Sequence, residues 1–161
     1  MKIQEFIIPQ LEQEVALTKT FLKRIPEDKL NWKPHEKSMT IRQIANHLAE
    51  IPAWISGTME AEYMDVKGYT PPDHEKVEDV LNELANNFTA AKTSLKKSDD
   101  EFQRMWSMKK DGNVIFAMPR FNVLQTMVLN QFPHHRAQLG VYFRLLDIPV
   151  PATYGPSADE S

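Results

Sequence analysis

Two polar side chains, Gln131 and His135, fall inside an apolar stripe of a predicted helix. The segment 120–147 spaces its apolar residues by three, four and seven, which places them on one helical face. The apolar members of this face are Phe121, Leu124, Val128, Phe132, Leu139 and Tyr142. An unpartnered buried amide or imidazole costs about 1–3 kcal/mol, so Gln131 and His135 each need a partner in the core. The identity of that partner is the question on which the function depends.

A second polar pair, His47 and Glu50, lies on an earlier predicted helix. This helix begins at Thr40, because Thr40 and Gln43 have the spacing of a capping box. Its apolar face is formed by Ile41, Ile44, Leu48, Ile51 and Ile55. His47 is at the edge of that face and is expected to point inward, and Glu50 follows it by three residues on the same side of the helix.

Composition excludes several classes of protein. The chain has 161 residues, 42% of them hydrophobic, which predicts one globular domain spanning residues 1–161. The net charge of -3 argues against nucleic acid or an anionic membrane as the main partner. The absence of cysteine leaves His, Asp and Glu as strong metal ligands. The N-terminal residues resemble neither a signal peptide nor a membrane span, so we expect a cytoplasmic protein.

Four helices account for most of the hydrophobic periodicity. The first spans 7–22 with Pro9 in its first turn, the second begins at Thr40, the third spans 77–95, and the fourth runs from 120. Between the third and fourth helices, residues 110–113 predict a turn in a small hairpin or irregular excursion. The connections 26–39 and 63–76 are long, and the proline-rich tail is expected to run extended over the surface.

These elements predict an all-α fold, a four-helix bundle with long connections. An open α/β sheet is the alternative, but the strand-like residues are confined to one short region. Leu30 and Trp32 are too apolar for a solvated loop and should fold over one end of the core.

The chain resembles the DinB family, also described as DinB/YfiT-like metalloenzymes. The resemblance covers nearly the whole sequence and is carried by IPEDKLNWKPHEKSM, by the internal histidine of IRQIANHLAE, and most specifically by HHRAQL running into RLLDIPVPATYGPSADE. It implies a four-helix bundle with a three-histidine metal site, one ligand from the second helix and an H-x-x-x-H pair from the fourth. His47 matches the first ligand and His135 the last, whereas Gln131 stands at the middle position.

The resemblance therefore implies an incomplete site for Zn²⁺, Ni²⁺ or Fe²⁺, formed by His47, Gln131 and His135. An amide oxygen binds these ions more weakly than an imidazole, so the metal is either held weakly or not bound at all. Glu50 could compensate as a third ligand, or act as a catalytic base. His134 is a poor substitute for residue 131, because one helical residue rotates its side chain by about 100°.

The alternative to a metal site is a purely structural role for the same residues. His47 and His135 would then be core histidines that hydrogen-bond to Gln131, Gln43 or water, with Gln131 fixing a tautomer. Arg136 should project to the flank of its helix and make a salt bridge or a tail contact, and His35 and His74 should be solvated. Core packing or pocket lining is expected for the aromatic residues Trp54, Trp106, Phe116 and Tyr142.

Two functions follow from the resemblance. The first is a metal-dependent enzyme, a thiol S-transferase or a hydrolase, in which the metal activates a thiol or water; its substrate is a small molecule, for which a low-molecular-weight thiol is one candidate. The second is a non-catalytic binding or stress-response protein that keeps the fold with a degenerate metal site. The resemblance also implies a homodimer.

Overall fold

The computed structural model describes residues 2–160, of which the helices form the larger part. The α-helices are α1 (Ile3–Leu22), α2 (Ile41–Glu60), α3 (Val77–Ser94), α4 (Asp99–Gln103), α5 (Arg120–Val123) and α6 (Gln131–Leu145). Glu27–Lys29 form a 3-10 turn and Leu124–Leu129 a π-helical segment. Three strands complete the fold, β1 (Tyr63–Asp65), β2 (Met105–Lys110) and β3 (Asn113–Pro119). Helical residues make up 57% of the chain, so the prediction of a mostly helical protein is confirmed.

The small sheet corrects the all-α prediction. β1 pairs in parallel with β2, and β2 pairs antiparallel with β3. The hairpin turn occurs where it was predicted, and Asp111 and Gly112 both have positive φ (53° and 74°), as a type I′ turn requires. Asp65 of β1 accepts hydrogen bonds from the backbone N–H groups of both turn residues, at 3.1 and 2.7 Å. β1 was not predicted, because three residues are too few to show an alternating pattern.

Helix α1 begins four residues earlier than predicted. Lys2 donates its backbone N–H to the Glu5 side chain at 3.0 Å, which satisfies a free donor at the helix start. Pro9 therefore lies inside the helix rather than in its first turn, and the prediction for Pro9 was wrong. The missing Pro9 N–H removes one internal hydrogen bond, and α1 still buries Ile7 and Leu11 completely.

Helix α2 begins as predicted. The Gln43 backbone N–H donates to Thr40 Oγ1 at 3.1 Å, and the Thr40 N–H donates to Gln43 Oε1 at 2.8 Å. This capping box fixes the start of the helix and therefore the direction in which His47 projects. α2 packs against α3 and α6, which brings His47 towards the last helix.

The fourth predicted helix is divided into α5, the π-helical segment and α6. The Asn130 N–H donates to the Gln125 carbonyl, five residues back, at 3.3 Å. Such a bond places an extra residue in the turn, so the side chains before Asn130 are rotated relative to a regular α-helix. Phe121, at the start of the predicted stripe, is only partly buried, whereas Val128, Phe132 and Leu139 are fully buried.

The tail is folded against the protein rather than extended over it. Arg24 donates to the Pro149 carbonyl at 2.9 Å and pairs with Glu160. Arg144 pairs with Asp159 at 2.7 Å. The prediction of an extended tail was therefore wrong, because acidic side chains near its end pair with arginines of the helical body and of the segment after α1.

One hydrophobic core runs through the helices. Leu30 is buried in it, and Trp32 packs edge-on against Tyr142 with ring centroids 5.5 Å apart, which confirms that this loop covers one end of the core. Tyr142 also donates to the Met39 carbonyl at 3.1 Å. Throughout residues 2–160, each helix is too short or too polar to cross a lipid bilayer.

Candidate functional site

His47 of α2 and His135 of α6 lie side by side. Their ring centroids are 4.5 Å apart, and the rings are nearly perpendicular at 84°. His135 is only 8% exposed, whereas His47 is half-buried. Two histidines far apart in sequence therefore meet at one point between two packed helices.

Gln131 lies directly against His135. Its Oε1 atom is 3.1 Å from His135 Nε2, one helical turn away. On the other side of the ring, Gln138 Oε1 is 2.9 Å from His135 Nδ1. Gln138 was not singled out from the sequence, although its spacing of three residues places it beside His135 on a helix. Gln43 is occupied at the start of α2, so the partners of His135 come from its own helix.

His135 is neutral at pH 7. Burial lowers its pKa to about 4, and the nearby His47 and His134 rings act in the same direction, against the Gln138 hydrogen bond. A neutral imidazole carries only one N–H. Gln138 Nε2 lies 3.3 Å from His134 Nε2, and donation along this contact leaves Gln138 Oε1 to accept from His135 Nδ1. Nε2 is therefore the unprotonated nitrogen of His135, and it faces Gln131.

Glu50 lies beside His47 as Gln138 lies beside His135, three residues later on the same helix. Its Oε2 is 3.7 Å from His47 Nδ1, close enough for electrostatic attraction but longer than a hydrogen bond. The Tyr69 hydroxyl donates to the carboxylate, 2.6 Å from each oxygen. Burial raises the pKa of Glu50, but the contacts with His47, Tyr69 and Trp54 outweigh it, and the pKa is lowered overall. Glu50 is therefore an anion at neutral pH.

Tyr69 is a site residue that the sequence did not reveal. It lies in the connection between α2 and α3, and its ring is 6.0 Å from that of Trp54. Burial and the neighbouring Glu50 carboxylate raise the pKa of its hydroxyl, so the phenol stays protonated and donates to Glu50. Nothing in the local sequence distinguishes it from Tyr63, a tyrosine of the same connection.

The other histidines have different surroundings. His134 is exposed, as its rotation away from the core predicts. His35 is also exposed, in the loop before α2. His74 was expected to be solvated, but it exchanges backbone hydrogen bonds with the Asn46 side chain, at 2.8 and 3.0 Å, and its ring pairs with Glu83. The prediction for His74 was therefore wrong, because Asn46 ties its loop to α2.

Two concave surfaces meet at His47. On one side is a cavity of about 180 Å³ whose walls include Trp54, Trp106, Met108 and Phe116, with His47 and Gln131 as its polar members. On the other side is a polar cleft of about 420 Å³ that includes Thr40, Arg42 and Asp73. His47 therefore stands between an apolar and a polar compartment.

Some of the possible ligand atoms at this site suit a divalent cation. Among the described residues, no group of three or more His, Cys, Asp or Glu side chains forms a metal-binding cluster. The available donors are His47, His135 and the amide of Gln131. Both histidines have Nδ1 turned towards an oxygen three residues later on their own helix, an arrangement that leaves Nε2 free and is common around metal-binding histidines. The residues therefore fit a weak, three-residue site.

Comparison with known proteins identifies the fold. A crystal structure of a DinB-like protein from Bacillus cereus ATCC 10987 is 23% identical, with a TM-score of 0.71 over 95% of this chain and 98% of that one. A second DinB-like protein, from Bacillus subtilis, is 16% identical, with a TM-score of 0.68 over 96% and 97% of the two chains. No curated protein matches the sequence. The model of the DinB family matches residues 7–161, and the chain belongs to that family.

Proposed function

We propose that this protein is a metal-dependent enzyme of the S-transferase or hydrolase type, with His47, His135 and Gln131 as ligands of a divalent cation. The observation that carries the proposal is the matched arrangement of the two histidines. Nδ1 of His47 faces Glu50, and Nδ1 of His135 faces Gln138. Each ring is thereby oriented by its own helix, and the Nε2 nitrogens of two neighbouring rings remain as ligands.

Gln131 limits the affinity of this site for a metal ion. Its amide oxygen is a weaker ligand for Zn²⁺, Ni²⁺ or Fe²⁺ than an imidazole nitrogen, so we expect a loosely held ion. In this scheme α2 supplies His47 and α6 supplies Gln131 and His135, so the three ligands come from two packed helices. A bound divalent cation lowers the pKa of a coordinated water or thiol, which then becomes a nucleophile near neutral pH.

For Glu50 we propose a role through His47. The Glu50 anion favours a proton on His47 Nδ1, and Tyr69 holds the carboxylate in place. Because its pKa is lowered, Glu50 is a weak general base at neutral pH. It instead keeps a negative charge beside the ligand His47. Glu50 is thus a positioning residue in this scheme.

The two compartments suit two substrates. The polar cleft offers Thr40, Gln43 and the charged pair Arg42–Asp73, 3.1 Å apart, to a polar low-molecular-weight thiol. The apolar cavity on the opposite side of His47 suits an apolar group of the other substrate. A thiol placed in the cleft would reach His47 directly.

Metal analysis tests the proposal. Protein purified without a histidine tag should bind Zn²⁺ or Ni²⁺ at one site in calorimetry, and His47→Ala and His135→Ala should each abolish binding. His35→Ala is the matched control, because it removes an exposed histidine elsewhere. A thiol-conjugation assay with a low-molecular-weight thiol should then show turnover that a chelator removes. If His35→Ala weakens binding as much as His47→Ala, the assigned ligands are wrong.

A non-catalytic binding protein is the alternative, and the closeness of Gln131 to His135 favours it. If the Gln131 amide is turned by 180°, its N–H group donates to the unprotonated His135 Nε2, which then has a partner without an ion. Under this alternative, no metal binds at micromolar concentrations and thiol conjugation does not exceed the uncatalysed rate.

A further inference from the structure

The walls of the apolar cavity beside His47 come from several parts of the chain. Trp54 comes from α2, Trp106 and Met108 from β2, Phe116 from β3, and Val123 from α5. The hairpin thus supplies part of the cavity wall opposite the helices. An excursion placed in this way shapes a binding site.

The chemistry of the walls defines the kind of ligand. Of the described residues that line the cavity, none is Asp, Glu, Lys or Arg. An ionised group placed there would lose its hydration without gaining a partner of opposite charge, so charged ligands are excluded. Aromatic rings and methionine sulfur, in contrast, make favourable contacts with flat apolar groups.

The size of the cavity indicates the size of the apolar group. A dry cavity of about 150 Å³ in another protein is known to bind benzene. The cavity here is about 180 Å³. It therefore has room for one six-membered ring with a small substituent.

We propose that this cavity binds an uncharged, ring-sized apolar group, and that this group is the apolar part of the substrate. The assignment to a substrate rests on the proposed function. The binding itself needs no metal, because the walls named above are formed by side chains of the chain alone.

Three probes of similar size test the ligand class. Ethylbenzene and anisole are uncharged, and benzoate carries a negative charge. Calorimetry on chelator-treated protein should show ethylbenzene and anisole each binding at one site, and no benzoate binding. Absence of binding by both neutral probes, or binding of benzoate, would overturn the ligand class.

Filling the cavity tests the location. Val123→Phe should weaken anisole binding at least tenfold, and Phe116→Trp, at a less buried position of the wall, serves if the first variant does not fold. Val114→Phe is the matched control, since Val114 is 58% exposed on β3 and does not line the cavity. Unchanged binding in a folded wall variant would overturn the location. Anisole binding by protein that has no thiol-transfer activity supports the cavity site and contradicts only the proposed function.

Discussion

Arg136 and Glu14 form a buried ion pair that joins α6 to α1, with Arg136 Nη2 2.6 Å from Glu14 Oε2. The side chains are only 2% and 9% exposed. Thr18 accepts from the guanidinium at 3.1 Å, and the Tyr154 hydroxyl accepts from it at 2.6 Å and donates to Glu14 at 2.7 Å. Arg136 directly follows His135, so this network fixes the helix that carries the site. The salt bridge and the tail contact predicted for Arg136 are both present, but in the core rather than on the flank.

Removing one member of this pair should be strongly destabilising. Arg136→Met leaves the Glu14 carboxylate buried without a positive partner, and we expect a loss of about 3–5 kcal/mol in the free energy of unfolding. The control is Arg144→Met, because Arg144 forms an exposed pair with Asp159 and should contribute much less to stability. Urea denaturation measures both. The double variant Glu14→Leu, Arg136→Met should recover most of the stability, and equal losses in the two single variants would contradict the prediction.

His135 should make the stability depend on pH. Its pKa is lowered from 6.5 to about 4 in the folded protein, so between these values the unfolded chain binds a proton that the folded protein does not. Above pH 6.5 His135 does not reduce the free energy of unfolding. As the pH decreases towards 4, this group lowers the free energy of unfolding by at most about 3 kcal/mol. Denaturation in the presence of a chelator should show this slope. His135→Gln should flatten it, and an unchanged slope in that variant would assign the effect to other groups.

Two local signals were read correctly from the sequence, whereas a contact between distant residues of the site was missed. The Thr40–Gln43 capping box and the Asp111–Gly112 turn depend on neighbouring residues, and both form as predicted. Tyr69 reaches Glu50 across 19 residues, and no local pattern encodes that contact. The π-helical segment was also missed, because its residues keep an apolar pattern that a regular α-helix shares.

The same contrast between local and non-local signals applies to the candidate site. Periodicity indicated that His47 and His135 point inward, but it did not indicate that they meet. Their proximity was expected only from the resemblance to the DinB family, and the structure places their ring centroids 4.5 Å apart. The shape of the apolar cavity was beyond sequence reasoning, because its walls come from the hairpin and the helices together.

A homodimer remains a prediction. Val141 and Leu145 lie one turn apart on α6 and are 58% and 59% exposed, which makes this part of the helix a candidate contact. Light scattering at micromolar concentrations should give twice the chain mass, and Val141→Glu should shift it towards the monomer. The control is Met105→Glu, at an exposed residue of β2. A monomeric mass for the native protein at all concentrations would contradict the prediction.

Gln131 is the residue at which this chain differs from the three-histidine pattern, and it gives the sharpest test of the site. Gln131→His would restore a third imidazole one turn before His135, at a half-buried position where the two side chains are similar in size. Affinity for Zn²⁺ or Ni²⁺ in calorimetry should rise at least about tenfold, or about 1.4 kcal/mol. The melting temperature should then increase with metal concentration, because the ion binds only the folded protein.

Two controls distinguish a restored metal site from the effect of simply adding a histidine to the chain. The double variant Gln131→His, His47→Ala should lose the gain, because His47 supplies a ligand from the facing helix. Gln138→His adds an imidazole on the Nδ1 side of His135 and should bring no gain, since that nitrogen carries the proton. If Gln131→His binds metal no better than the native protein, residues 47, 131 and 135 do not converge on one ion. The metal-site interpretation would then fail, and the contact between Gln131 and His135 would be purely structural.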